Sequence, residues 1–237
     1  MQFELTFDVN MPKIVSLPDH VSPEANNRNE RDFRLRAVPL ENLKLRENTI
    51  IVYMSDNGHS EETGNRIRVD NHKSGHPKGH FYGASGGGFT GKWIGHKGNF
   101  LEGGIRVPAI ISYPSKLPKG EVRNQAITAM DWFPTVTELC GVKPKASHPK
   151  LDGSSLGPII ASANAPSSNE IMHWQWHTGW AIRKGNWKLI GRGSKASFLG
   201  NLNDTQPERK NYRSEKNALV REMTELHHAW VEKVKPK

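Results

Sequence analysis

The sequence is poor in the features that would assign it to several large protein classes. It holds one cysteine, so no disulfide can form within the chain and no Cys-x-x-Cys zinc pattern exists. No apolar run approaches the ~18 residues that a membrane-spanning helix needs. The N-terminal MQFELTFDVN carries acids where a signal peptide carries Lys or Arg, so we expect no signal peptide and leave the location undecided.

Positive charge is in excess but is not concentrated. Lys and Arg number 33 against 24 Asp and Glu, which gives a formal net charge of +9. The basic residues are scattered, which disfavours a nucleic-acid partner and leaves an acidic small molecule or polysaccharide open. The lone Cys140 lies just before Gly141 at the end of a predicted helix, so we interpret it as a packing residue and not as a catalytic thiol.

Composition and periodicity predict three parts of the chain. Residues 1–47 are polar and read as an irregular segment. Residues 48–165 alternate apolar strands with helical patterns, which predicts an α/β core. Residues 166–237 predict a small antiparallel sheet with a helix packed on it.

Within the predicted core, TIIVYMS and RVPAIISYP at 106–114 are typical of strands, the first buried on both faces of a sheet. The roughly fifty residues between them are rich in Gly, His and Lys, and a loop of that length is usually functional. TAMDWFPTVTELCGV at 128–142 predicts a helix, and GSSLGPIIASA a shorter one. The apolar face of the first helix is predicted to comprise Met130, Phe133, Val136, Thr137 and Cys140.

The C-terminal part shows two clear periodicities. EIMHWQWHTGWAIRKGNWKLIGR alternates apolar and polar residues and predicts a hairpin that turns at Lys184-Gly185-Asn186. EKNALVREMTELHHAWVEKV predicts a helix. Its apolar face comprises Leu219, Met223, Leu226, Trp230 and Val234.

Asp56, Asn57 and Gly58 follow the first predicted strand directly. Ligands of open α/β sheets collect at the carboxyl ends of strands. A carboxylate beside an amide oxygen suits a hard cation such as Ca²⁺ or Mg²⁺, and Gly58 permits the sharp turn that aims both side chains at one point. The same tripeptide is also common in ordinary turns, and that alternative stays open.

A second stretch, GHKGNFLEGGIRVP at 95–108, has the features of an anion site. Lys97 lies between small residues that leave its ammonium accessible, and the surrounding glycines permit close approach of the backbone to an anion. Glu102 and Arg106 are spaced to form an ion pair that would fix the loop. A metal-binding strand end next to such a lysine suits the chemistry of phosphate or sulfate esters.

Several segments together resemble one family. TIIVYMSDNGHS, GHKGNFLEGGIRVPAIISYP, TAMDWFPTVTELCG, LDGSSLGPII and WAIRKGNWKLI resemble, in order and spacing, the C-terminal half of a type I sulfatase of the arylsulfatase and N-acetylgalactosamine-6-sulfatase kind. FLGNLNDTQPERKN is similar to a loop of the same family. The resemblance covers about residues 48–237 and implies a partial alkaline-phosphatase-like sulfatase core with a small C-terminal antiparallel sheet and a packed helix.

The resemblance also implies roles for individual residues. Asp56 and Asn57 match two ligands of the family's Ca²⁺, and Lys97 matches the lysine that contacts the sulfate group. His59 and His96 lie beside these positions, where they are either substrate contacts or solvated loop residues. The implied substrate is a sulfated sugar or an aryl sulfate ester. The spaced histidines His72, His76 and His80 are interpreted as loop residues because Pro77 and glycines interrupt the segment.

The chain departs from the family at the nucleophile. The family's Cys/Ser-x-Pro/Ala-x-Arg motif, matured to formylglycine, does not occur in it, and neither does an adjacent Asp-Asp pair. We therefore expect the chain alone to be inactive and truncated, with an incomplete Ca²⁺ site. Two alternatives stay open, namely a remnant that binds anions at most and a phosphatase of the alkaline-phosphatase-like group.

Overall fold

The structure is a computed structural model that describes residues 2–7, 39–58, 67–68, 81–82, 90–143, 145, 147 and 149–235. His59, His72, His76 and His80 lie outside the described residues, so their predicted roles stay predictions. The predicted limits of the three parts of the chain also stay predictions.

The first sheet has four strands in the order β2-β5-β1-β6. Strand β1 runs parallel to β5 and antiparallel to β6, and β2 runs antiparallel to β5. A separate two-stranded ribbon joins β3 to β4. The strands are β1 (Gln2–Phe7), β2 (Ile51–Met54), β3 (Ile67–Arg68), β4 (Phe81–Tyr82), β5 (Arg106–Ser112) and β6 (Val122–Thr128).

Two expectations about this sheet are corrected. Strand β2 was predicted to be buried on both faces, but its residues are partly exposed and Met54 is 37% exposed. The reason is position, because β2 forms an edge of the described sheet, where one side has no neighbouring strand. The second correction concerns residues 1–47, which were read as irregular although Gln2–Phe7 is an interior strand.

In the described part of the chain residues 39–42 are helical. The helices used below are α1 (Glu102–Ile105), α2 (Trp132–Leu139), α3 (Gly157–Ala161) and α4 (Asn217–Val234). Helices α2 and α3 pack on the first sheet, where Ile111, Ile127 and Leu156 are fully buried. The predicted helix over 128–142 is therefore confirmed over its central part, with a 3₁₀ turn at Ala129–Asp131 before it.

The predicted apolar face of α2 is wrong. Met130 and Phe133 are 53% and 61% exposed, and Cys140, interpreted as a packing residue, is also exposed. The residues that are buried are Trp132, which joins the apolar core, and the polar Asp131 and Thr135. The Asp131 carboxylate accepts hydrogen bonds from the backbone N–H groups of Thr128 and Ser154 at 2.7 and 2.9 Å, and the Thr135 hydroxyl accepts one from the Leu156 N–H. These polar contacts orient α2, because a buried donor or acceptor without a partner costs more than an exposed apolar side chain.

The second sheet confirms the predicted hairpin. Its order is β10-β9-β8-β7, all antiparallel, and the chain turns at Gly185 and Asn186, with Gly185 at φ 56°. The strands are β7 (Ile171–Trp176), β8 (Gly179–Lys184), β9 (Trp187–Arg192) and β10 (Lys195–Asn201).

Helix α4 packs on the second sheet through Met223, which is fully buried with Leu189 and Leu199. Leu219 and Leu226 border this cluster as predicted, whereas Val234 is 52% exposed at the helix end. No described helix has the length and apolar character to cross a membrane.

A buried cluster of charges joins α1 to the second sheet. The Lys188 Nζ of β9 lies 2.8 Å from the Glu102 carboxylate and 3.3 Å from that of Glu208, and these Lys188 and Glu102 side chains are fully buried. Arg106 completes the cluster at 2.8 Å from Glu102, which confirms the predicted ion pair. Opposite charges in contact offset the cost of taking each ion out of water.

A pair of histidines lies between β7 and α4. The Nδ1 atoms of His173 and His227 are 3.3 Å apart, and His227 Nε2 lies 3.1 Å from the Gln175 side-chain oxygen. His173 stacks on Trp230 and His227 on Trp180. Burial lowers the pKa of both histidines from 6.5 to about 4, and the nearby His173 and His228 add to the effect on His227.

We expect the protein to lose stability as the pH falls from 6.5 towards 4. Over this range the unfolded chain binds protons at His173 and His227 that the folded chain excludes, so folding becomes less favourable with acidity. Urea unfolding at several pH values measures the slope. A His173→Gln/His227→Gln variant should show a shallower slope, whereas His177→Gln, on an exposed turn, should keep the original one. An unchanged slope in the double variant would contradict the assignment.

Glu102→Gln should destabilise the fold by about 3 kcal/mol, because it removes a charge from a buried cluster and leaves Lys188 and Arg106 undercompensated. The matched control is Glu222→Gln, which breaks the partly exposed pair with Lys184 and should change stability little. Equal losses in the two variants, measured by urea unfolding, would show that burial of the cluster contributes nothing.

Candidate functional site

The turn after β2 presents two oxygen-bearing side chains. Asp56 is exposed and Asn57 is half-buried. The Ser55 hydroxyl donates to the Asn57 carbonyl at 2.9 Å, and the Asn57 side-chain nitrogen donates to the Gly58 carbonyl at 2.7 Å. The second contact engages the nitrogen of the Asn57 side-chain amide, whose oxygen is an acceptor of the kind that a hard cation takes.

Glycines bring this turn against the helix α1. The Gly58 N–H donates to the Gly104 carbonyl at 3.1 Å. A Cβ placed on Gly58 would lie 2.3 Å from the Gly103 oxygen, a distance that no side chain tolerates. Gly58 is therefore needed here for close backbone contact, in addition to the turn that the sequence suggested.

The same glycines of α1 support the Lys97 loop from the other side. The Gly103 N–H donates to the Ile94 carbonyl at 2.8 Å, and a Cβ on Gly104 would lie 2.2 Å from the His96 oxygen. The loop turns at Gly95 and Gly98, which have φ values of 98° and 94°. The structure thus places the Asp56–Asn57 turn and the Lys97 loop on the same pair of glycines, although they are forty residues apart in sequence.

Lys97 and His96 differ in their surroundings. Lys97 is exposed, while His96 is half-buried and its Nδ1 lies 2.8 Å from the Lys97 carbonyl oxygen. This contact holds the His96 ring against its own loop. His59, the other histidine predicted near the site, lies outside the described residues.

The buried charges of Glu102, Lys188, Glu208 and Arg106 determine the electrostatics at the C-terminal end of the Lys97 loop. Burial alone would raise the pKa of Glu102. The charges of Lys188 and Arg106 outweigh this effect and lower that pKa to about 2, so Glu102 is ionised. Burial, and then the charge of Glu102, raise the pKa of Glu208 against the opposing effect of Lys188. The Arg106 guanidinium also lies over the buried Trp93 ring at 4.1 Å. Helix α1 is thus held at Glu102 by Lys188 and Glu208, and Arg106, directly after the helix, packs on Trp93.

The donors at the β2 turn fit calcium in kind but not in number. Calcium takes six to eight hard oxygen ligands, and the turn offers the Asp56 carboxylate and the Asn57 amide oxygen. Among the described residues, no group of three or more His, Cys, Asp or Glu is arranged to hold a metal ion. The further ligands of a complete site would have to come from water, substrate or residues outside the described part.

Sequence reasoning missed the residues that hold the site in place. Lys188 looked like an ordinary alternating residue of a hairpin, and Glu208 lay in a loop noted only for family resemblance. Glu208 has φ 59°, a left-handed conformation that is strained for a residue with a side chain. Its buried carboxylate accepts the Glu102 N–H at 2.8 Å, so the strain is maintained by a contact made at long range.

Parts of the chain are similar to known sulfatases. Residues 39–142 match the family model described as Sulfatase. Mouse steryl-sulfatase is 33% identical over 155 residues, which are 61% of this chain and 22% of that protein. Dog N-acetylgalactosamine-6-sulfatase is 29% identical over 149 residues, which are 63% of this chain and 24% of that protein.

Solved structures agree on the fold. A structure described as Ps i-CgsB in complex with k-i-k-neocarrahexaose superposes with a TM-score of 0.65 at 24% identity, covering 85% of this chain and 40% of that one. The phosphonate monoester hydrolase of Agrobacterium radiobacter superposes with a TM-score of 0.55 at 17% identity, covering 86% and 39%. These likenesses confirm a mixed α/β, alkaline-phosphatase-like fold.

The chain spans about a quarter or less of the two curated relatives named above and less than half of the two solved structures. The matched segment, residues 39–142, includes both the Asp56–Asn57 turn and the Lys97 loop. Residues 39–142 of the chain are therefore similar to sulfatases.

Proposed function

We propose that this chain carries the calcium- and sulfate-binding part of a sulfuric ester hydrolase. The observation that carries the proposal is the shared support of two loops. Gly103 and Gly104 contact the turn of Asp56 and Asn57 on one side and the loop of Lys97 on the other. A candidate ligand pair for a hard cation and an exposed lysine thus lie on adjoining loops, as binding of a divalent cation and a sulfate group at one site requires.

Each side chain has a distinct role in this proposal. Asp56 and Asn57 would contribute two oxygen ligands to Ca²⁺, which when bound supplies positive charge to the sulfate oxygens. The Lys97 ammonium neutralises charge on the same sulfate group while the ester bond to a sugar or aryl leaving group breaks. His96, and His59 two residues after Asn57, are the candidates for contacting the leaving-group oxygen.

The nucleophile is the part of the reaction to which no residue of this chain is assigned. The formylglycine motif is absent from the sequence, and Cys140, followed by Gly-Val-Lys, is exposed next to α2. We therefore propose that turnover by this chain alone is negligible and that its own residues bind the cation and the sulfate group. A remnant that binds anions at most is the alternative within the same family.

Calcium titration by calorimetry tests the ligand pair. The chain should bind Ca²⁺ through Asp56 and Asn57, and Asp56→Ala should weaken binding about tenfold or abolish it, because a carboxylate contributes charge that water cannot replace. Asp152→Ala removes an exposed acid elsewhere and should leave binding unchanged. Equal affinity of the chain and Asp56→Ala would contradict the calcium role.

Binding of an aryl sulfate tests the anion loop. Lys97→Ala should weaken binding about tenfold, since one charge-assisted contact is lost, while Lys119→Ala, an exposed lysine of the β5–β6 connection, serves as the control. Turnover of the aryl sulfate is followed on the same samples. Clear turnover would contradict the absence of a nucleophile, and identical binding by Lys97→Ala would contradict its role.

A phosphatase or phosphonate hydrolase is the second candidate. It is favoured by one observation, the superposition on the phosphonate monoester hydrolase. An aryl phosphate and an aryl phosphonate, titrated beside the aryl sulfate, separate the candidates. Binding of the phosphorus esters that is tighter than that of the sulfate, and equally dependent on Lys97, would replace the sulfatase proposal by this one.

A further inference from the structure

The second sheet has two turns at the end where Gly179 contacts Phe100. His177 and Thr178 join β7 to β8, and Gly193 and Ser194 join β9 to β10. Both turns are at the same end of the sheet, because Arg192 pairs with Gly179 on one side and with Lys195 on the other. A Cβ on Gly179 would lie 3.0 Å from the ring of Phe100, which follows Lys97 by three residues. The end of the sheet therefore borders the candidate anion site.

Trp176 lies at this end and is a large, mostly exposed aromatic residue. Its side chain is 59% exposed, with the His177 ring 5.3 Å away, centroid to centroid. Trp180 on the adjacent strand, by contrast, is 2% exposed and packs against Gly191. An exposed indole presents a flat apolar face with negative π density, to which the polarised C–H groups of a sugar ring are attracted.

The turns are held rigid by hydrogen bonds. The Gln175 side chain donates to the His177 carbonyl at 2.7 Å, the Gly193 N–H to the Thr178 carbonyl at 2.7 Å, and the Trp180 indole N–H to the Gly193 carbonyl at 2.8 Å. Arg192 Nε donates to the Thr178 hydroxyl at 3.1 Å, so one turn is tied to the other. A rigid surface loses little entropy when a ligand binds.

The residues of the second sheet carry positive charge at this end. No acidic residue occurs between Glu170 and Asp204, a span that contains the whole sheet. Lys188 is neutralised by the buried carboxylates and Lys184 pairs with Glu222. Arg192 and Lys195 are exposed and, within the part of the chain that the structure describes, neither forms an ion pair. Positive charge beside an aromatic face complements an anionic sugar better than it does an uncharged steroid or aryl group.

We propose that Trp176, His177, Arg192 and Lys195, here named the turn surface, bind a second sulfated sugar unit next to the one whose ester lies at Lys97. The indole of Trp176 stacks on the sugar ring, and Arg192 and Lys195 contact its sulfate group. The inference rests on the proposed function and narrows its substrate to a sulfated polysaccharide.

Calorimetric titration with a chondroitin sulfate hexasaccharide tests the turn surface. Trp176→Ala should weaken binding about fivefold or more, whereas Trp176→Phe, which keeps an aromatic face, should recover most of the affinity. Arg192→Gln/Lys195→Gln should weaken binding about tenfold and reduce its dependence on salt. Lys119→Gln/Lys143→Gln removes two exposed charges from loops of the first sheet and should change affinity little.

Two further ligands separate the outcomes. The small aryl sulfate should bind Trp176→Ala as well as it binds the original chain, because it does not reach the turn surface. The desulfated hexasaccharide should bind at least tenfold more weakly than the sulfated one. Loss of aryl sulfate binding in Lys97→Ala together with unchanged hexasaccharide binding in Trp176→Ala would overturn the turn surface and leave the proposed function standing.

The reverse result has a different meaning. Hexasaccharide binding that depends on Trp176, Arg192 and Lys195, without any aryl sulfate binding at Lys97, would support the turn surface and overturn the proposed function. A hexasaccharide that does not bind, or a single-stranded oligonucleotide that binds more tightly than the hexasaccharide, would overturn the assignment of a sulfated sugar as the ligand. Circular dichroism of each variant confirms that its fold is retained.

Discussion

The arrangement of the candidate site depends on the buried carboxylate of Glu102. It stands at the start of α1, directly before the two glycines that contact both candidate loops, and it forms ion pairs with Lys188 and Arg106. A buried carboxylate without such partners would be too costly to keep ionised, so it requires the second sheet to be docked. The fold therefore couples the two candidate loops to the packing of the C-terminal sheet.

The candidate site is positioned by backbone contacts of glycines and not by packed side chains. Gly58, Gly103 and Gly104 allow three backbone segments to touch, and each contact excludes a Cβ. Such contacts define position well, but glycines lose much entropy on folding. The ion cluster behind them, with Glu208 held in a strained conformation, supplies the fixed point that the glycine segments lack.

Patterns that were local and strong predicted the fold well. The alternation over β7 to β9, the turn at Gly185 and the helix α4 follow the sequence closely, because neighbours along the chain set them. Weak patterns misled. Met130 and Phe133 are exposed because the buried side chains of Asp131, Trp132 and Thr135 face the core instead. The alternation of Phe3, Leu5 and Phe7 with polar residues is typical of a strand, and the prediction of an irregular segment overlooked it.

The sequence by itself determined the identity of the chemical groups, namely Asp56, Asn57 and Lys97, and the family motif that surrounds them. It also determined the pair of Glu102 and Arg106, since a spacing of four residues is a local property. Only the tertiary structure decided that the two loops share one pair of glycines, that Lys188 contacts Glu102 and that Gly179, which pairs with Trp176, lies against Phe100. Such contacts join residues far apart in the chain, and a linear pattern carries no information about which distant segments will touch.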